Sequence, residues 1–171
     1  MSQTAIRLST RTHRGSGGWL VTAIESVGGL ARVGHSGEVT EVVVADTSAR
    51  GAFDPECFAA AACTQEGDVL LVSRQSPPAL LVSGGDKRIA PAASLDSELL
   101  HLQQGDRLVI LSPAVFEQLP EALAHTLHSA PADLLAADPA ALLSEIFEGV
   151  SAGAGVVIGR AAHITDRGGS R

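Results

Sequence analysis

Aromatic side chains are scarce in this chain: it has four Phe, one Trp and no Tyr. Proteins that hold single-stranded nucleic acid stack its bases on aromatic platforms, so the composition argues against that partner. Basic charge is also short. The formal net charge is −7, and an acidic chain without a basic stripe is a poor polyanion binder. The nearest approach to a basic cluster is Arg7, Arg11, His13 and Arg14, which reads as solvated surface on a strand-like stretch. No window approaches the ~18 continuous apolar residues of a membrane span. Met1–Arg11 has no apolar run of signal-peptide length. A cytoplasmic address is the expectation. The only cysteines are Cys57 and Cys63, with no CxxC and no zinc spacing. They read as buried thiols on an Ala-rich helical stretch. Six residues apart, they do not face each other there, because helix neighbours lie three or four apart.

What is present is a train of short β signals. At 171 residues and 45% hydrophobic, one domain is the default. It is placed at 1–160, with a polar, Gly-rich tail at 161–171. Alternation predicts a strand over 4–12 and another over 19–26. A short strand is expected at 30–33 and the β-branched run VTEVVVA at 39–45. Asp54-Pro55 reads as a helix start, giving a short helix over 55–64. Strands follow at 69–73, 79–82 and 87–90, the last two joined by the turn signal Gly84-Gly85-Asp86. Further strands are expected at 97–102 and 107–111. Val115, Leu119, Leu123 and Leu127 fall at helical spacing, and Asp138-Pro139 opens another helix. A closing strand is expected around 155–158. Sequential antiparallel strands with helices on a face make an α+β layered fold.

Several single features invite a function. His125 and His128 share a helix face, but no third ligand at a helical spacing supports a metal site, so they read as solvent-facing. Ser16-Gly17-Gly18 and Ser83-Gly84-Gly85-Asp86 lack the P-loop pattern and read as hairpin turns. Ser48 and Ser112 have no paired base at any motif spacing. Asp46, at the end of a strand, fits a turn-capping role.

Three segments in order resemble the metal-dependent PP2C-type serine/threonine phosphatases, including their bacterial stress-signalling branch. Residues 42–51, VVVADTSARG, are similar to the family's strand ending in an aspartate and a small-residue loop. Residues 67–82, GDVLLVSRQSPPALLV, resemble its strand, Pro-rich turn and next strand. Residues 105–119, GDRLVILSPAVFEQL, resemble the strand whose end carries a metal-binding aspartate, followed by a helix. A helix over 139–147, then a strand at 156–158, fits the family's close. THRGSGGW more weakly resembles its opening strand. The resemblance covers most of the chain and implies a β-sandwich flanked by helices.

It also implies two Mg²⁺ or Mn²⁺ ions held by several carboxylates, which activate a water for attack on phosphorus. Asp46 stands at the first bridging position. Ser112-Pro113-Ala114 replaces the family's Ser/Thr-Asp-Gly triplet. Residues 149–159 contain no acid, and neither do residues 15–23. The expectation is a degenerate, non-catalytic member without cofactor, with Asp46 as a metal-site remnant, acting through protein–protein interaction in signalling or stress response. One alternative is a live Mn/Mg phosphatase in which Asp46 is joined by acids such as Glu25, Asp68 or Asp166. Another is an unrelated structural or oligomeric α+β protein. Active relatives make a long helical excursion after the Asp46 loop, and this chain has room for one short helix. The sheet face so uncovered is expected to meet a protein partner or a second copy.

Overall fold

In the computed structural model, strands occupy Ser9–Gly15 (β1), Trp19–Glu25 (β2), Gly29–Ser36 (β3), Val39–Asp46 (β4), Phe58–Cys63 (β5), Asp68–Arg74 (β6), Ala79–Ser83 (β7), Asp86–Ala90 (β8), Ser97–His101 (β9) and Arg107–Leu111 (β10). Helices at Pro113–Gln118 (α1), Pro131–Ala136 (α2) and Pro139–Phe147 (α3) precede the last strand, Ala154–Arg160 (β11). The described residues are 9–161, apart from 49, 53, 93, 94, 119, 120, 122–124, 126 and 127. Expectations for residues 1–8 and for most of the 161–171 tail lie outside them, as does much of the helical spacing from Val115 to Leu127.

The strands form two antiparallel sheets, β1-β2-β11-β10-β7-β8 and β3-β4-β5-β6-β9. Their inner faces share one core. Trp19, Val21, Ala23, Val156 and Ile158 from the first sheet meet Val42, Val44, Ala61, Val69 and Leu71 from the second. A second core lies on the outer face of the six-stranded sheet. There Ile24, Val109 and Val157 pack against Leu134 of α2 and Leu142, Leu143, Ile146 and Phe147 of α3. Asp138 caps α3 as its sequence suggests, accepting from the Ala141 amide at 3.2 Å.

One expected element is wrong. Residues 55–64 do not form a helix. Asp54 instead closes a turn, its Oδ1 accepting from the Glu56 amide at 2.8 Å. The chain then enters β5, hydrogen-bonded between β4 and β6. Ala59, Ala61 and Cys63 are buried while Ala60 and Ala62 are half-buried, a period of two. Alanine is a good helix former, but six residues gain little from propensity, and pairing on both sides overrides it. Cys63 is therefore a buried strand residue, and Cys57 is half-buried in the turn before it, not on a helix. The strand at 30–33 is also longer than expected and runs to Ser36.

The β4–β5 connection is thus only residues 47–57, with no helix among its described members. No residue of the outer face of the five-stranded sheet belongs to either core. Register places Glu41, Ala62, Leu70 and Leu99 in one row of that face, and Val43, Ala60, Val72 and Ser97 in the next. Leu70 is 47% exposed and Leu99 69%.

Candidate functional site

Asp46 ends β4 at the rim of the sandwich, beside the end of β10, the start of β11 and the β2–β3 turn. The chain pulls these together through backbone bonds. Thr47 N–H donates to the Gly28 carbonyl at 2.8 Å, and Ser112 N–H to that of Ala154 at 2.9 Å. Ser26 donates to the Gly153 carbonyl through both its amide, at 3.0 Å, and its hydroxyl, at 2.9 Å. Gly29 lies so close to this segment that a Cβ there would stand 2.0 Å from the Gly153 carbonyl oxygen. Gly153 itself has φ 125°, a conformation glycine adopts at no steric cost.

Asp46 Oδ2 accepts the Ala114 amide N–H at 2.9 Å, which ties the end of β4 to the first turn of α1. Its Oδ1 is buried and accepts no hydrogen bond from the described residues. Ser112 is fully buried, and its Oγ accepts from the Ala154 amide at 3.0 Å. It is a structural bridge, not a nucleophile in waiting. Gln118 completes the rim. Its Nε2 donates to the carbonyls of Ala114 and Ala152, at 2.8 and 2.7 Å. Its Oε1 accepts from the amide and hydroxyl of Ser151, at 2.8 and 2.7 Å. Nothing in the sequence marks Gln118, because its partners are mostly backbone groups.

The other candidates scatter. Glu25 Oε1 accepts the Ala31 amide at 2.8 Å. Asp68 sits at the far end of the five-stranded sheet, 3.0 Å from His101 Nδ1. The register puts it roughly 20 Å from Asp46 along the strands at about 3.3 Å per residue. Asp166 lies outside the described residues. His125 and His128 are exposed, and Ser16–Gly18 and Gly84–Gly85 are turns. Ser48 stays in the β4–β5 loop, its amide donating to Ala52 O at 2.8 Å. Cys57 Sγ donates to the Gln75 carbonyl at 3.3 Å. Partial burial, then the Asp46 and Asp54 carboxylates, raise its pKa, and burial alone pushes that of Cys63 up to about 12. Thiols act as nucleophiles through the thiolate, so neither is poised for chemistry.

No family model matches this sequence, and no curated protein matches it. Solved structures do. The chain is similar to the phosphatase domain of the cell fate determinant SpoIIE from Bacillus subtilis, in a crystal form without domain swapping. The TM-score is 0.61 at 17% identity, covering 99% of each chain. A second structure, the PP2C phosphatase domain of the same protein with a fragment of its regulatory domain, matches at TM-score 0.56 and 16% identity. That match covers 90% of this chain and 63% of the other. This chain has the PP2C fold. The two-sheet sandwich is the one its sequence resemblance implies, and the reading as an unrelated α+β architecture falls with it.

The metal pair that a PP2C fold implies does not fit the described residues. Two hard cations need several oxygen ligands between them. Among the described residues, no three His, Cys, Asp or Glu side chains are grouped closely enough to hold a metal. Pro113 stands where the sequence resemblance implies a strand-end aspartate, and its neighbour Ser112 is bonded to Ala154. No described helix is long and apolar enough to cross a membrane.

Proposed function

We propose that this chain is a non-catalytic PP2C-fold module that acts by protein–protein interaction in a signalling or stress-response setting. The observation that carries the reading is the state of Asp46. One of its oxygens is spent on a backbone amide, and no three described His, Cys, Asp or Glu side chains are grouped to hold a metal. A lone, already engaged carboxylate cannot hold two divalent ions against their hydration.

The interaction half of the reading rests on the outer face of the five-stranded sheet. Leu70 and Leu99 stand exposed on it, among half-buried Val43, Ala60, Ala62 and Val72. Apolar side chains clustered on a sheet face mark an interaction surface. A protein partner or a second copy would cover it. The signalling setting follows from the resemblance to the bacterial phosphatase branch, since fold alone does not fix function.

One observation favours a live phosphatase with a rearranged metal site. A buried carboxylate oxygen without a partner is costly, and Asp46 Oδ1 is one. A turnover assay on phosphoserine and phosphothreonine peptides, with Mn²⁺ or Mg²⁺, separates the two. The non-catalytic reading expects no turnover above buffer. Turnover that disappears in Asp46→Ala would establish the alternative.

A further inference from the structure

We propose that the edge of β3, unpaired among the described residues, takes up an extended, acidic peptide segment of a partner protein, held by Arg11 and His13. This site is separate from the Asp46 rim and from the apolar sheet face, and it stands whether or not the chain is an enzyme.

The two sheets do not match in width. The first has six strands and ends at β1, whereas the second has five and ends at β3. Strand β3 packs over β2 and β11, so β1 projects beyond it with no described strand opposite. A cavity of about 300 Å³ lies at this step. Arg11 and His13 pair with Ala23 and Val21, which belong to the inter-sheet core, and cross-strand partners share a face. The inner face of β1 is therefore basic where a sandwich strand is normally apolar. Ala23 and Val33 supply apolar wall, while Arg32, paired with Val43, stands on the other face of β3.

The backbone of β3 shows how a ligand would sit. The Ala31 amide donates to Glu25 Oε1 at 2.8 Å, so it points away from β4. Strand alternation then turns the amides of Val33 and His35 to the same edge. A peptide strand added there would give the second sheet its sixth strand and lie over β1. Every second side chain would face Arg11 and His13. Among the described residues lining the cavity Glu25 is the only acid, and it already sets a carboxylate against an amide of this edge. Among the described residues, Arg11 has no carboxylate within ion-pair distance. Guanidinium groups recognise carboxylates and phosphates with two parallel hydrogen bonds, so the occupant is acidic at alternate positions. The competing role for inward-pointing charge on an edge strand is to block strand addition altogether.

The test is fluorescence polarisation of the full chain with a labelled hexapeptide of alternating Val and Glu, beside its Val–Lys counterpart. The Val–Glu peptide is expected to bind, more weakly as salt rises, and the Val–Lys peptide not to bind. Arg11→Glu should weaken binding roughly tenfold or more, since it reverses a charge at the contact. Its side chain is exposed, so circular dichroism of this variant should match the wild type. Should it not, the milder Arg11→Gln carries the test, with weakened binding. No binding of the Val–Glu peptide, equal binding of both peptides, or affinity unchanged by these substitutions would overturn the proposal and leave the charges as guards of the edge.

Discussion

Asp46 is the residue on which the functional reading turns. Its link to Ala114 is worth about 1 kcal/mol, in the range of a typical intramolecular hydrogen bond. Urea denaturation of Asp46→Ala should show a loss of that order. Asp46→Asn keeps an acceptor oxygen for the amide and should stay close to wild type. Equal losses in the two variants would mean that the carboxylate charge, rather than the cap, matters to stability.

The cysteines allow a second check at the same scale. Burial raises the Cys63 thiol from an ordinary 9.0 to about 12. Between those values the native chain keeps a proton that the unfolded chain releases, so stability falls as pH rises from about 9 towards 12. In a thiol-labelling time course at pH 8, Cys57 should react slowly and Cys63 only after denaturant is added. Rapid labelling of both in the native protein would contradict the burial of Cys63.

At the scale of elements, β5 carries the main lesson about reading this chain. Strands such as Val39–Asp46 and Arg107–Leu111 are legible because β-branched residues and Leu dominate them. Residues 58–63 are not, because an Ala-rich stretch satisfies helix propensity and a period of two equally well. Only the neighbours β4 and β6, far along the chain, decide between them. Helix α2 escapes notice for a related reason: its adjacent Leu134 and Leu135 show no helical spacing. The site divides in the same way. Asp46 is visible as a strand-ending acid, but its partner is a backbone amide, which no sequence pattern records.

The strand assignment has a direct consequence. Ala61 faces the core and Ala60 the outside. Ala61→Asp should cost several kcal/mol, since it buries an unpaired charge. Ala60→Asp should cost roughly 1 kcal/mol or less. A helix would not separate the two positions by strict alternation, so equal tolerance in a thermal melt would count against β5.

For the whole molecule, the shortened β4–β5 connection leaves one side of the sandwich helix-free among the described residues. Leu70 and Leu99 contribute little to folding where they stand, so replacing both with Glu should leave the thermal midpoint within a few degrees. The same double substitution should reduce binding of a hydrophobic dye to the native protein and remove any self-association seen in sedimentation. Unchanged dye binding in the variant would show that this face is not the apolar surface the chain presents.

The central proposal is that the PP2C fold is kept here while its metal chemistry is lost. Isothermal titration of Mn²⁺ into the purified chain tests it most directly, with Asp46→Ala titrated alongside. The expected result is the heat of dilution alone for both proteins. Saturable Mn²⁺ binding to the wild type that vanishes in Asp46→Ala would contradict the claim and make Asp46 the anchor of a working metal centre.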